Sequence, residues 1–398
     1  MRVLYVNHTA EVSGAERSLL DLIGAVGDEV TPLVACPQGP LQTAVAKLGL
    51  PCATIAGTAG SLRLHPLHTP RTLGELALAA VQVQRLARGF DAELLHANSI
   101  RAGIVLGLAG PGRRRATVVH VRDCLPPSPL ATATMRLIAA TATTIVANSR
   151  YTAASLLGAA PHAHIEVVHN PVDIRRWDPT LIDRAQARDR VPGANGRLLL
   201  GVVAQLSPWK GQDTAIAALQ ALSENQLDAQ LVLIGSAKFV ASATRFDNER
   251  YVAELRARIA DAGLEDRVTW LGEREDVPEL MRALDVLLLP SWEEPFGRAV
   301  IEAMAMGVPV IATNVGGPAE IIEDGREGYL LPPREAGAWA QAITRLAGDP
   351  GLRAEMGRAG RASAERSFTI ERHVEAMLAV YRDAVTRSRA ARSRAEPA

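Results

Sequence analysis

The chain has 398 residues, 48% of them apolar, which suits two α/β domains better than one. Lys plus Arg and Asp plus Glu both number 43, so the formal charge is zero and the positive excess that nucleic-acid phosphates select is absent. No apolar run reaches membrane-spanning length, "MRVLYVNHTA" reads as a buried strand rather than a secretory leader, and the scattered Cys36, Cys52 and Cys124 form no metal or redox spacing, a pattern that predicts a cytoplasmic protein.

Along the first half, short β-branched apolar runs alternate with Ala/Leu-rich helical stretches. The predicted strands are "RVLYVNH", "TPLVACP", "AELLHANS", "ATVVHVRD", "TTIVANS" and "IEVVHN". Their continuous apolarity suits strands covered on both faces, and the alternation predicts a parallel, doubly wound sheet over residues 1–172. Residues 173–196 are rich in Asp, Arg, Pro and Gly and read as a linker. A second series follows over 197–369, with strands "RLLLGVVAQLS", "AQLVLIGS", "RVTWLGE", "DVLLLPS", "PVIATN" and "GYLLPP". An amphipathic helix is predicted over 370–386, and 387–398 reads as a basic disordered tail with the charge to touch an anionic membrane face. The predicted fold class is α/β, with two Rossmann-like parallel-sheet domains.

In parallel sheets ligands gather at the carboxyl ends of strands, so residues just after strands carry the chemistry. After "DVLLLP" comes "SWEEPFGR", where Pro295 is placed to open a helix with Phe296, Gly297 and Arg298 in its first turn. Free N–H groups there would make an anion site, with Glu294 just outside it to accept from hydroxyls. Glu302 would lie two turns into that helix, about 8–9 Å along the axis. Lys210, after "LLLGVVAQLS", suits a phosphate. Ser13 and Gly14 follow the first strand, a single Gly rather than a dinucleotide G-x-G-x-x-G. His120 ends another strand, followed by Arg122 and Asp123. His96 and Asn98 end a neighbouring one and stay open between structural and functional roles. His162, His164 and His169 could bind a metal only as a minor alternative. No Asp-x-Asp occurs to clamp a metal on a diphosphate, so the positive field would come from Lys210 and a helix dipole.

The stretch "EEPFGRAVIEAMAMGVPVIATNVGGPAEII" closely resembles the signature of retaining family 4 glycosyltransferases of GT-B fold, with Glu294 and Glu302 matching their E-x7-E motif. The resemblance continues in order through "SGAERSLL", "VVHNPVD", "SPWKG" and "EDGREGYLL" and so covers nearly the whole chain. It implies a nucleoside diphosphate sugar, UDP-linked by preference, held by the second domain, and a small-molecule or lipid-linked acceptor held by the first. Glu294 would bind hydroxyls of the transferred sugar, Glu302 the ribose diol, and Lys210 the diphosphate with backbone N–H groups near Phe296 to Arg298. Gly235 and Arg274 match positions lining the base pocket, and His120 a residue beside the sugar. The family commonly carries Arg where this chain has Gln205, which removes one phosphate partner. The resemblance further implies catalysis without metal or cofactor, retention of anomeric configuration, and a cytoplasmic site, peripheral at the inner membrane face. A non-catalytic sugar-nucleotide- or glycan-binding protein and a GT-B sugar-nucleotide epimerase are the alternatives.

Overall fold

The computed structural model describes residues 1–58, 69–109, 115–126, 128–194, 196–237 and 246–395. The loop "SLRLHPLHTPR", expected to shape an acceptor site, lies mostly outside them. The chain divides into two units, Met1–Pro171 with Ile370–Ala398, and Val172–Thr369.

The first unit is built on seven parallel strands: β1 (Arg2–Val6), β2 (Thr31–Cys36), β3 (Cys52–Thr54), β4 (Leu94–Ala97), β5 (Ala116–Val121), β6 (Thr144–Ala147) and β7 (Ile165–Val167). Their order is β3-β2-β1-β4-β5-β6-β7. Both faces are buried, as the apolar runs require: Val3 and Tyr5 join one core, Leu4 and Val6 the other. The helix Ile370–Ala395 packs its Met377, Leu378 and Tyr381 into the Tyr5 side. At about 1.5–3 kcal/mol per large apolar side chain buried, that stripe explains why the last segment belongs to the first unit. The helix runs well past residue 386, so most of the stretch expected as a disordered tail is helical. Its i,i+4 pair Asp383–Arg387 and its small Ala residues favour that.

The second unit has six parallel strands: β8 (Leu198–Val203), β9 (Ala229–Ile234), β10 (Val268–Gly272), β11 (Val286–Leu289), β12 (Val310–Thr313) and β13 (Gly328–Leu331), in the order β10-β9-β8-β11-β12-β13. The expected linker is part of this unit. Trp177, Ala187, Val191 and Ala194 join its core, and Arg184 and Arg188 both reach Asp285. The polar residues that suggested a linker are thus the outer face of a packed segment, with a helix at Arg184–Asp189.

Two expectations about cysteine and histidine change. Cys36 and Cys52, sixteen residues apart, lie on paired strands with their sulfurs 3.6 Å apart. In the histidine trio, His164 faces Glu166 and Asp383, while the His169 carbonyl bonds with His373. Among the described residues no group of three metal-ligating side chains occurs.

Candidate active site

Where strand order reverses in a doubly wound sheet, a crevice opens at the strand ends. In the second unit that point lies between β8 and β11, and the loops after these two strands carry Lys210 and Glu294. Lys210 Nζ is 2.7 Å from Glu294 Oε2, and Ser291 Oγ donates to the same oxygen at 2.9 Å. The ammonium also lies 3.8 Å from the centre of the Trp209 ring. Both side chains are mostly buried, with 14% of Lys210 and 9% of Glu294 exposed. An ammonium has three N–H donors and Glu294 engages one, so the lysine can hold the acid and still meet an anion.

Glycine sets this meeting. A Cβ on Gly211 would stand 1.9 Å from the Pro290 carbonyl oxygen, and one on Gly316 would stand 2.0 Å from that of Glu294. Both glycines also have left-handed φ, +70° and +106°. They let the loops after β8 and β12 press backbone against the Glu294 segment. Trp292 N–H donating to Trp209 O at 2.9 Å, and Gly317 N–H to Glu294 O at 2.8 Å, fasten the three loops.

The helix expected from Pro295 starts later, at Arg298, and runs to Ala305. Gly297 precedes it with φ +99°, which no right-handed helix accepts, so Pro295 and Phe296 stay outside. Phe296 is a core residue, its ring centre 6.3 Å from that of Phe368, which leaves its backbone rather than its ring to face the loop. Glu302 accordingly sits about one turn into the helix, roughly 6 Å along it, rather than two. It is buried, as its apolar neighbours suggested, and is bridged by Arg298 at 3.2 Å.

The base-pocket candidates Gly235 and Arg274, and Gln205 at the phosphate position, are engaged by neighbouring backbone or side chains. Gly235 packs against the Ala204 carbonyl, 2.0 Å from where its Cβ would be, and its N–H bonds Gly272 O at 2.8 Å. Gln205 offers its carbonyl to Gln212 Nε2 at 2.9 Å. Arg274 forks onto both oxygens of Asp276, each at 2.7 Å, which with Arg190 holds that carboxyl down at about 2.

The first unit answers differently. Ser13 caps the helix Gly14–Ile23, its N–H and Oγ donating to the buried Glu16 at 3.1 and 2.5 Å, with Gly14 the first helical residue. His120 is fully buried inside β5. Its Nδ1 lies 3.1 Å from Arg122, which also donates to Asn98 at 3.2 Å and to Asn170. Asn98 continues to Asn7 at 3.0 Å. His96 Nδ1 meets Tyr381 OH at 2.6 Å, and its ring centre is 5.8 Å from that of His120. Burial and the Arg122 charge lower His96 to about 3 and hold His120 well below its usual value. His8 falls to about 4 through burial and Arg101. His96 and Asn98, left open by the sequence, thus join His120 in one polar core. His120, expected beside a sugar, is buried here with its Nδ1 on Arg122 and its Nε2 without a partner among the described residues.

Sequence reasoning missed Ser291, Trp209 and Trp292. A tryptophan beside an acid–lysine pair has no local signature; only the neighbouring strand ends bring Trp209 and Trp292 together.

Residues 12–176 match the family described as Glycosyltransferase Family 4, and residues 183–363 that described as Glycosyl transferases group 1. The chain is 31% identical to a D-inositol 3-phosphate glycosyltransferase of Actinosynnema mirum over 372 residues, 90% of this chain and 82% of that one. It is 33% identical to the protein of the same description from Salinispora tropica over 264 residues, 63% of this chain; that match spans about half of the relative, 53%. The crystal structure of Anabaena HepE in complex with UDP-glucose superposes with a TM-score of 0.82 at 28% identity, covering 96% of this chain and all (100%) of that one. Two parallel-sheet units, a glutamate pair after β11 and near-full-length matches to both relative and structure agree: the chain belongs to glycosyltransferase family 4 and has the GT-B fold.

Proposed function

We propose that this protein moves a sugar from a nucleoside diphosphate sugar to an acceptor hydroxyl with retention of anomeric configuration. The observation that carries the reading is Lys210 Nζ held 2.7 Å from Glu294 at the switch point of the second unit. HepE, similar over its whole length, was crystallised with UDP-glucose, which supports a UDP-sugar as donor here. In this reading Lys210 takes the charge that grows on the leaving phosphate, an interaction stronger in the transition state than in the ground state. Glu294 orients sugar hydroxyls and Glu302 a ribose diol, with Arg298 turning from Glu302 to the ligand. No resident metal takes part, and the leaving phosphate accepts the acceptor's proton on the face it departs from. Acceptors of cell-envelope or antibiotic glycoside type fit the reading, with the protein in the cytoplasm or peripheral to its membrane.

Gln205, where the family commonly has a cation, favours one second reading, a binding protein without turnover. Nucleotide release from a panel of sugar nucleotides, UDP-glucose included, separates the two. Steady release that persists in EDTA, with product of retained configuration by NMR, is the expected result. Tight donor binding with no release, even with acceptors added, would replace transfer by binding.

A further inference from the structure

We propose that Arg334 is a second cation of the donor site, meeting the diphosphate beside Lys210; the proposal rests on the donor reading above. Lys210 is neutralised by Glu294, Arg298 by Glu302 and Arg274 by Asp276, while Gln205 is uncharged. A diphosphate arriving at these groups meets pairs that already cancel. A site for such a dianion needs a cation in excess.

Arg334 supplies one at the right sheet edge. It stands three residues beyond the carboxyl end of β13, in the sheet whose β8 and β11 carry Lys210 and Glu294. Its guanidinium carbon lies 3.6 Å from the centre of the Trp292 ring, and Trp292 is two residues from Glu294. The backbone bond from Trp292 to Trp209 places side by side two tryptophans that each carry a cation, Lys210 on one and Arg334 on the other. The Trp292 indole N–H is buried without a partner, and the Phe246 ring meets that of Trp292 edge-on, with centres 6.3 Å apart. Trp292 is therefore a platform used for its faces. A stacked guanidinium keeps its in-plane N–H donors for an oxyanion. Arg334 is exposed, and no carboxylate pairs with it among the described residues.

The backbone points the same way. Arg334 has φ +64°, one of three non-glycine residues with positive φ among those described. Glycine would make this turn without strain, so the arginine is there for its side chain.

The test measures UDP and UMP binding to the full chain by calorimetry, for wild type, Arg334→Gly, Arg334→Lys and the charge control Arg345→Gln. Arg334→Gly suits the left-handed turn and keeps the fold. It should weaken UDP about tenfold or more and UMP by less than about threefold, with Arg334→Lys in between, since a charge-assisted contact to the second phosphate is what is removed. Arg345→Gln should leave both affinities unchanged. UDP affinity in Arg334→Gly equal to wild type, or equal losses for UDP and UMP, overturns the proposal. If wild type binds neither UDP, GDP nor ADP, the donor reading itself fails and this inference falls with it.

Discussion

The two units put polar residues at the strand ends of their parallel sheets to different uses. In the first, the ends of β4 and β5 gather His96, Asn98, His120 and Arg122 into a sealed network in which one cation serves uncharged acceptors and the histidines are kept neutral. In the second, the loops after β8 and β11 bring acids and cations together in pairs, each with part of a side chain at the surface. A network buried beneath the surface, in which one arginine ties three uncharged side chains together, holds a fold together. A pair with donors left over can trade its partner for a ligand. Polar residues at strand ends therefore do not by themselves mark a ligand site; whether a charged pair reaches the surface separates the two cases here.

The strongest way to break this contrast is to remove Arg122. Arg122→Met leaves Asn98, Asn170 and His120 each short of a buried donor, at about 1 kcal/mol or more apiece, so the chain should lose about 3 kcal/mol of stability. Denaturant titration measures it, and a loss below about 1 kcal/mol would show that the network is not structural. The matching change in the second unit is Lys210→Ala. Turnover should fall about 10²-fold or more, by analogy with removing one oxyanion donor. Release of UDP at a near-normal rate by the purified variant would remove Lys210 from the chemistry.

Acid sharpens the comparison. His8 and His96 have folded values of about 4 and about 3, and His120 is also lowered. Below the ordinary value of about 6.5 the unfolded chain takes up protons that the folded chain refuses, so stability falls as pH drops. Each of these histidines contributes about 1.4 kcal/mol per pH unit, until pH reaches its folded value. Unfolding free energies from pH 7 to pH 5 should show the slope, and His96→Gln, which can keep a bond to Tyr381, should make it shallower by about one histidine's share. A slope unaffected by His96→Gln would mean that His96 is not held neutral by the fold.

How much of this the sequence announces depends on the range of the interaction. The strands of both sheets are legible because strands buried on two faces are continuous apolar runs. β3 is the exception: three residues at a sheet edge, two partly buried and Thr54 exposed, carry no such run. Glu294, Glu302 and Lys210 are legible as residues following strands, and their pairing is consistent with that. The helix start is misread because Pro295 is a good opener while Gly297, two residues on, takes a backbone only the folded loop dictates. The burial of His120 is not legible because a strand-end histidine looks the same whether it faces solvent or another histidine. The Arg334 stack on Trp292 joins residues 42 apart through a strand order that no local pattern encodes.

Ser13 gives the smallest effect and the sharpest choice. The resemblance runs through Ser13 in "SGAERSLL", in the domain expected to hold the acceptor, and its N–H and Oγ are spent on Glu16 at the start of a helix. Ser13→Ala keeps the N–H bond and loses the hydroxyl one, so stability should fall by about 1 kcal/mol, as for other lost helix caps. If the residue acts only as a cap, kcat/KM for donor and acceptor at a temperature well below unfolding stays at the wild-type value. A tenfold or greater fall in kcat/KM, or about 1.4 kcal/mol of transition-state stabilisation, with unchanged Tm would mean that the hydroxyl touches substrate and that the bond to Glu16 is given up when substrate binds.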